Sequence, residues 1–358
     1  MNHFNAIREK LGEYGIDAML LTCEANRFYA SGFHSTGTDG VALVTKDETY
    51  YWTDSRYIEA AQQQVRSAKI EMTTTGHGYT ALLNEAVKRH GLKVLGFEDE
   101  YMTVAELKTY QEKVPGVEFK PAGKLLTTLR MVKDSEEIEA LIGAQRIAEK
   151  ALDDICSELK AGMTEKEVAA RLTYLMLHYG AENMSFDPIV ASGANGSKPH
   201  AVPSDKVIGS GDFVTMDFGC IYHGYCSDMT RTVAIDRVTE EMDKVYHIVL
   251  EAQLAGIAAA KAGVPGCDVH NAAAKIIEDA GYGQYFGHGF GHGVGVEIHE
   301  APRASSTWKD PLPAGAVISA EPGIYMPGKF GVRIEDCLIV REGGCEVIHK
   351  APKELLIL

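Results

Sequence analysis

Residues 211–219 read GDFVTMDFG, and residues 315–323 read GAVISAEPG. Laid over each other, both run from a glycine through a short apolar stretch to an acid and a closing glycine, so that Asp217 falls on Glu321. Alternation within the stretch is the period of a strand with one covered face. Phe213, Thr215 and Asp217 share one face, and Val214, Met216 and Phe218 share the other. The match extends in both directions. Lys160-Ala161-Gly162 corresponds to Lys261-Ala262-Gly263, and Val168 to Val269. KPHAVPS, with His200, falls on EIHEAPRAS, with His299, while Asp228 in SDMTRT falls on Glu335 in VRIED. Chance likeness between amphipathic helices would leave the matched histidines and acids unexplained. A repeat of this length is a duplicated supersecondary unit. Two copies facing each other across a pseudo-twofold bring each acid opposite its counterpart.

The helices around these strands announce themselves. Asp134 caps a helix over Ser135–Leu159, with Glu137 three residues on; Thr164 and Glu167 form a second capping box, and Gly180 closes that helix. In the second copy a helix runs from Glu240 to Lys261, and another is capped by Asp268 and closed by Gly281. Before the repeat, strand runs at Ala18–Thr22, Val41–Thr45, Thr49–Trp52, Lys69–Thr74, Lys93–Phe97 and Val117–Lys120 alternate with helical patterns. Those patterns cover Phe4–Tyr14, Arg56–Arg66, Tyr79–His90 and Val104–Lys113. This predicts an α/β domain over 1–130 and an α+β domain with an internal repeat over 131–358.

A formal charge of −15 argues against nucleic acid or an anionic membrane as partner. Seven scattered cysteines without a Cys-x-x-Cys pair suggest neither a zinc ribbon nor a disulfide framework. The charged amphipathic start and the lack of a long apolar run predict a cytoplasmic protein.

The second copy also holds GHGFGHGVGVEIHE at 287–300, in which His288, His292 and His299 lie among five glycines. Taken alone, this could be a flexible turn with solvated histidines. It could also be a phosphate cradle, but no Gly-Lys-Ser/Thr follows. The acids decide. Asp217, Asp228, Glu321 and Glu335 sit in apolar strand-like runs, where a lone buried carboxylate is costly. Gly219 and Gly224 suit a hairpin that brings Asp228 back towards Asp217, and alternation puts Arg333 and Glu335 on one face of the last strand. Arg333 can offset one acid. Four carboxylates and one imidazole suit a pair of divalent ions, Mn²⁺, Co²⁺, Fe²⁺ or Zn²⁺, over a thiolate-type site. Such a pair performs hydrolytic chemistry.

This set resembles the pita-bread metallopeptidases, the family of methionine aminopeptidase, aminopeptidase P and proline dipeptidase. The resemblance implies Asp217, Asp228, His292, Glu321 and Glu335 as metal ligands, with Asp228 and Glu335 bridging. It gives Glu321 the proton of the attacking water, and His299 the substrate carbonyl region. His200 and His288 would line the site, and Arg333 would orient Glu335 or assist proton transfer. NRFYASGF and WTDSRYIEAAQQQV look like the creatinase-type N-terminal domain, which methionine aminopeptidases lack. Five occupied ligand positions argue against a metal-free amidinohydrolase and against a silent peptide-binding module.

The expected reaction is cleavage before proline at the second position of a small peptide. Arg303 matches an arginine that grips the terminal carboxylate in prolidases. That tilts the expectation to a dipeptidase, with aminopeptidase P action on longer peptides as the alternative. His34, in SGFHSTGTDG, is either a solvated loop histidine or a residue reaching a partner's site. The resemblance also implies a homodimer or higher assembly.

Overall fold

The computed structural model describes residues 2–358, which form two compact units that divide between Arg130 and Met131. The first unit holds one six-stranded sheet in the order β4-β3-β2-β1-β5-β6. Its strands are β1 (Ala18–Leu21), β2 (Gly40–Thr45), β3 (Thr49–Thr53), β4 (Lys69–Met72), β5 (Val94–Phe97) and β6 (Glu118–Pro121). β1, β2 and β3 pair antiparallel, while β4, β5 and β6 join parallel. Helices α1 (Phe4–Lys10), α2 (Glu24–Ser31), α3 (Ile58–Gln64), α4 (Tyr79–His90), α5 (Val104–Lys113) and α6 (Gly123–Met131) connect the strands and follow the last. Because β1 to β3 are buried along their whole length, they read as near-continuous apolar runs.

In the second unit, α7 (Ser135–Glu158), α8 (Glu165–His178), α9 (Glu240–Ala259) and α10 (Gly266–Asp279) cover four small sheets. The first half contributes β7 (Asn183–Met184), β8 (Ile189–Ser192), β9 (Phe213–Phe218), β10 (Cys220–Tyr222), β11 (Tyr225–Cys226) and β12 (Met229–Ala234). The second contributes β13 (Gly291–Gly293), β14 (Glu300–Ala304), β15 (Val317–Ala320), β16 (Gly323–Met326), β17 (Phe330–Arg333), β18 (Asp336–Arg341) and β19 (Gly344–Val347). Val214, Met216 and Phe218 pack under α7 and α8, and Ile318 and Ala320 under α9 and α10.

The duplication is written in the backbone hydrogen bonds. Gly162 N–H donates to Ile208 and Gly263 N–H to Leu312; Glu165 donates to Lys206 and Gly266 to Asp310. Ala181 donates to Met176 and Tyr282 to Ile277, while Gly211 donates to Ile235 and Gly315 to Val340. Gly162, Gly180, Gly263 and Gly281 all take positive φ at the helix joints, where a side chain would be strained.

Three local expectations need correction. The N-cap of α10 is Pro265, and Asp268 sits in the first turn without a capping bond, because the extended Pro265 already directs the chain into the helix. Arg333 and Glu335 do not share a strand: β17 ends at Arg333 and β18 starts at Asp336, so Glu335 lies in the step between two sheets. Neither belongs to the last strand, which is β19. Between Asp217 and Asp228 the chain does turn back, β9 pairing with β12, but the small β10–β11 hairpin is inserted in the turn. Among the described residues no helix is long and apolar enough to cross a membrane.

Candidate active site

A cavity of about 590 Å³ opens in the second unit, lined by both halves of the repeat. From the first half come His200, Asp217 and Asp228, and from the second His288, His292, His299, Arg303, Glu321, Arg333 and Glu335. The antiparallel β9–β12 pair puts Asp217 opposite Thr230, with Asp228 one residue before β12. β13 lies against β15, which ends one residue before Glu321. That approach requires glycine: a Cβ on Gly291 would lie 1.9 Å from the Ser319 carbonyl oxygen.

His292 is oriented at both nitrogens. Its Nδ1 lies 3.1 Å from the Gly293 carbonyl and must donate to it, since a carbonyl can only accept. Nε2 therefore faces the acids, 3.2 Å from Glu321 Oε1 and 3.5 Å from Asp228 Oδ2. Ser319 ties strand to ligand, accepting from His292 N–H and donating to Glu321 Oε1. Burial lowers the affinity of His292 for a proton, but Glu321 and Asp228 outweigh it and push the imidazole up to about 9. Burial likewise works against ionised Glu321, yet His292 holds that carboxyl at about 2.

The remaining acids are held above the ordinary carboxylate range. Burial is the first cause for Asp217, Asp228 and Glu335; neighbouring acids add to it for Asp228 and Glu335, while for Asp217 the Arg333 charge works against it and Glu321 adds to it. Asp228 and Glu335 are 3% and 1% exposed, so water cannot relieve them. Asp217 Oδ1 is buried with no hydrogen-bond partner. One ligand atom from each of Asp228, His292 and Glu335 lies within 4.8 Å of the other two. A crowd of buried acids, one orphaned oxygen and an imidazole whose Nε2 is turned towards those acids fit divalent cations.

Arg333 serves Asp217 rather than Glu335. Its Nη2 donates to Asp217 Oδ2 at 2.6 Å, and it reaches Glu335 only through Thr230. Arg333 Nε donates to Thr230 Oγ1 at 3.0 Å, and that hydroxyl donates to Glu335 Oε2 at 2.6 Å. The bend at Glu335 separates the two side chains that a continuous strand would have kept together. A second path runs from Arg333 Nη1 to the Tyr325 hydroxyl at 2.9 Å, and from that hydroxyl to His288 Nε2 at 2.9 Å. His288 Nδ1 donates to the Gly289 carbonyl, so Nε2 accepts from Tyr325 and the ring is neutral. Burial lowers the pKa of His288 in agreement.

His200 and His299 are exposed on the cavity wall, and the His299 ring meets His292 edge-on at 4.4 Å. Burial, then the charge of His292, lowers the pKa of His299. Arg303 lines the same wall from β14. His34 belongs to the first unit, exposed and stacked on Phe28 at 4.0 Å, and is not one of the residues lining this cavity. Sequence reasoning missed Thr230, Ser319 and Tyr325, whose roles depend on partners far away in the chain. It also passed over Phe186, Asp187, Ile189, Ile298 and Ser305 on the wall. The position of Ile189 just ahead of the run VAS, facing Asp217 across the sheet, is the one signal available for them.

Comparison with known proteins agrees with this geometry. Residues 139–342 match metallopeptidase family M24, and residues 4–132 match the creatinase/prolidase N-terminal domain. The Xaa-Pro dipeptidase of Pyrococcus furiosus is 38% identical over 346 residues, covering 97% of each chain. The solved Xaa-Pro dipeptidase from Bacillus anthracis superposes with a TM-score of 0.94 at 43% identity, covering 99% of each chain. The X-Pro aminopeptidase from Thermotoga maritima superposes with a TM-score of 0.92 at 38% identity, covering 98% of this chain and 99% of that one. Buried acids in repeat register, an inward-turned histidine and these full-length likenesses lead to one assignment: the chain belongs to metallopeptidase family M24, with a creatinase/prolidase N-terminal domain.

Proposed function

We propose that the protein is an Xaa-Pro dipeptidase that hydrolyses the bond before a C-terminal proline. The observation that carries the reading is the cluster of Asp217, Asp228, His292, Glu321 and Glu335 on a cavity whose wall also presents Arg303. Likeness to two Xaa-Pro dipeptidases over nearly the whole chain supports it. The five clustered residues would hold two divalent ions, Mn²⁺ by preference for an oxygen-rich set with one imidazole. Bound there, the ions offset the four carboxylates and supply Lewis-acid activation of the substrate carbonyl and of water at neutral pH.

Each side chain then has a task. Glu321, ionised and fixed by Ser319, takes a proton from the attacking water. His299 binds the substrate carbonyl region and stabilises the developing oxyanion, and the proton that Glu321 took from the water passes to the departing imino nitrogen, from Glu321 directly or by way of a histidine on the wall. Neutral His288, held by Tyr325, and His200 line the substrate path. Arg333 fixes Asp217 directly and Glu335 through Thr230. A compact site of this kind suits proline, whose nitrogen carries no hydrogen for a backbone grip. Arg303 pairs with the terminal carboxylate of the dipeptide through its guanidinium fork. A homodimer in the cytoplasm completes the reading, with His34 contributed towards a partner copy.

The test is hydrolysis of Ala-Pro beside Ala-Pro-Ala by Mn²⁺-loaded enzyme, with a chelator-treated control. Cleavage of the dipeptide alone is expected. Arg303→Ala should raise KM for Ala-Pro about tenfold, the worth of a charge-assisted pair. Likeness to the X-Pro aminopeptidase favours a second reading, in which tripeptides are preferred and Arg303 has another role. Failure to cut either peptide with metal present would remove the peptidase reading.

A further inference from the structure

A buried ion pair lies directly behind the cavity wall. Lys133 Nζ and Glu300 Oε1 are 2.5 Å apart, with side chains 1% and 7% exposed. The preceding residue, His299, is exposed on the cavity, so two neighbouring side chains point in opposite directions. Both partners are seated in fixed structure. Lys133 N–H donates to the Gly315 carbonyl at 3.0 Å, just ahead of β15, and Lys133 leads straight into the Asp134 cap of α7. On the other side of the carboxylate stands Gly295, where a Cβ would lie 2.2 Å from Glu300 Oε1.

Stability alone does not account for the pair. Apolar side chains of similar volume often hold a fold as well as a buried ion pair or better, and the best-attested use of buried charge is to specify registry. Registry is what β14 lacks at this point. Ala304 pairs with Gly291 and Arg303 with His292, but the next pair joins Glu300 to Gly293. Ala301 and Pro302 are left as a bulge without counterparts on β13, and a proline has no N–H to donate. Beyond the bulge a single pair remains to place His299, because β13 ends at Gly293. A strand so weakly paired is free to slip unless something else pins it.

We infer that the Lys133–Glu300 pair is a register lock that positions His299, fixing its distance from Arg303 across the bulge. Arg303 stands on the paired side of the bulge and keeps its place without the lock. His299 stands on the far side and depends on it. The consequence for catalysis rests on the dipeptidase reading, in which one short substrate meets His299 at its carbonyl and Arg303 at its carboxylate. Loosening the lock removes His299 from the developing oxyanion and leaves the Arg303 grip intact. Its effect therefore falls on kcat and leaves KM close to its original value.

Lys133→Met alone would take the cation from a buried carboxylate and put folding at risk, so both partners are replaced together, as Lys133→Met/Glu300→Met. The double variant is compared with the unaltered Mn²⁺-loaded enzyme in urea unfolding, in deuterium exchange of the peptide spanning 298–304, and in kinetics on Ala-Pro. Its urea midpoint should be no lower than the parent's, while amide exchange across 298–304 speeds up about tenfold or more. At the same time kcat should fall about tenfold, with KM held within about twofold. Parental exchange or parental kcat in a stably folded double variant overturns the lock while the dipeptidase reading stands. So does a fall in kcat that comes with a matching loss of urea stability, since the pair would then serve the fold and not the register. If the unaltered enzyme cleaves no Ala-Pro, the dipeptidase reading falls and the exchange alone decides the lock.

Discussion

At the start of α8, in the first half of the catalytic unit, Glu165 is fully buried and collects hydrogen bonds from Ser192, Asn195 and Ser204. At the equivalent position of the second half stands Gly266, the start of α10, where a Cβ would lie 2.1 Å from the Arg303 carbonyl oxygen. The backbone bonds around the two positions match, Lys166 to Ser204 and Cys267 to Trp308. What differs is how each half holds its histidine-bearing segment. The first braces the loop after β8, which leads to His200, with a buried carboxylate. The second presses β14, which carries Arg303 and follows His299, directly onto the helix. A second pair of equivalents repeats the lesson. Val190 fills the core of the first half, whereas Gly291 lets β13 close on Ser319 and bring His292 to Glu321. The shared hydrogen-bond frame fixes where residues stand, and the side chains free each half to specialise, one for packing and support, the other for close approach and catalysis.

The largest effect should come from the acid that the second half contributes at the position of Asp217. Glu321→Ala is expected to lower kcat on Ala-Pro by about 10³-fold or more, through loss of the proton acceptor. Circular dichroism should show the fold retained, while elemental analysis should report less metal held, because Glu321 is also one of the five proposed ligands. Near-normal turnover would show that the two halves do not divide the work as described.

Next comes the glycine. Gly291→Ala forces a methyl against the Ser319 carbonyl, and overpacking of that kind costs about 1–3 kcal/mol. Urea unfolding should show the loss, together with weaker Mn²⁺ binding because the strand bearing His292 must retreat. A variant as stable as the parent, with unchanged metal affinity, would mean that the close approach is not needed.

Much of this division was legible in the chain. Capping boxes at Asp134–Glu137 and Thr164–Glu167 are local signals and formed as read. The face shared by Thr215 and Asp217 followed from alternation, and Val214, Met216 and Phe218 did go to the core. The features that stayed hidden lack a local signal. α2 starts after Cys23 without a side-chain cap, so nothing in its sequence marks the entry. The partner of Arg333 could not be read because the bend at Glu335 depends on passage from one sheet to another. Thr230 and Glu335, 105 positions apart, meet only through the packing of the two halves.

The smallest expected effect tests the brace in the first half, and its sign is fixed by the proton. Burial tends to raise the pKa of Glu165, but the serine and asparagine donors outweigh it and hold the carboxyl below its ordinary range. An acid whose folded pKa is depressed stabilises the fold above its unfolded value, about 4.3, and loses that contribution as pH falls through the folded value. Glu165→Gln keeps the shape but removes the charge and places an amide donor among donors. It should cost about 2 kcal/mol near neutral pH, the range for hydrogen bonds to an ionised group. The gap between parent and variant in urea unfolding should hold from neutrality down to about pH 5 and narrow below it, as the parent's own carboxyl takes up its proton. The comparable change in the second half, Gly266→Gln, should be far worse and insensitive to acid, because there the obstacle is the Arg303 carbonyl and not a missing charge. A Glu165→Gln gap that stays constant down to pH 3 would mean the carboxylate is filling space rather than accepting bonds, and the two halves would then be held by packing alike.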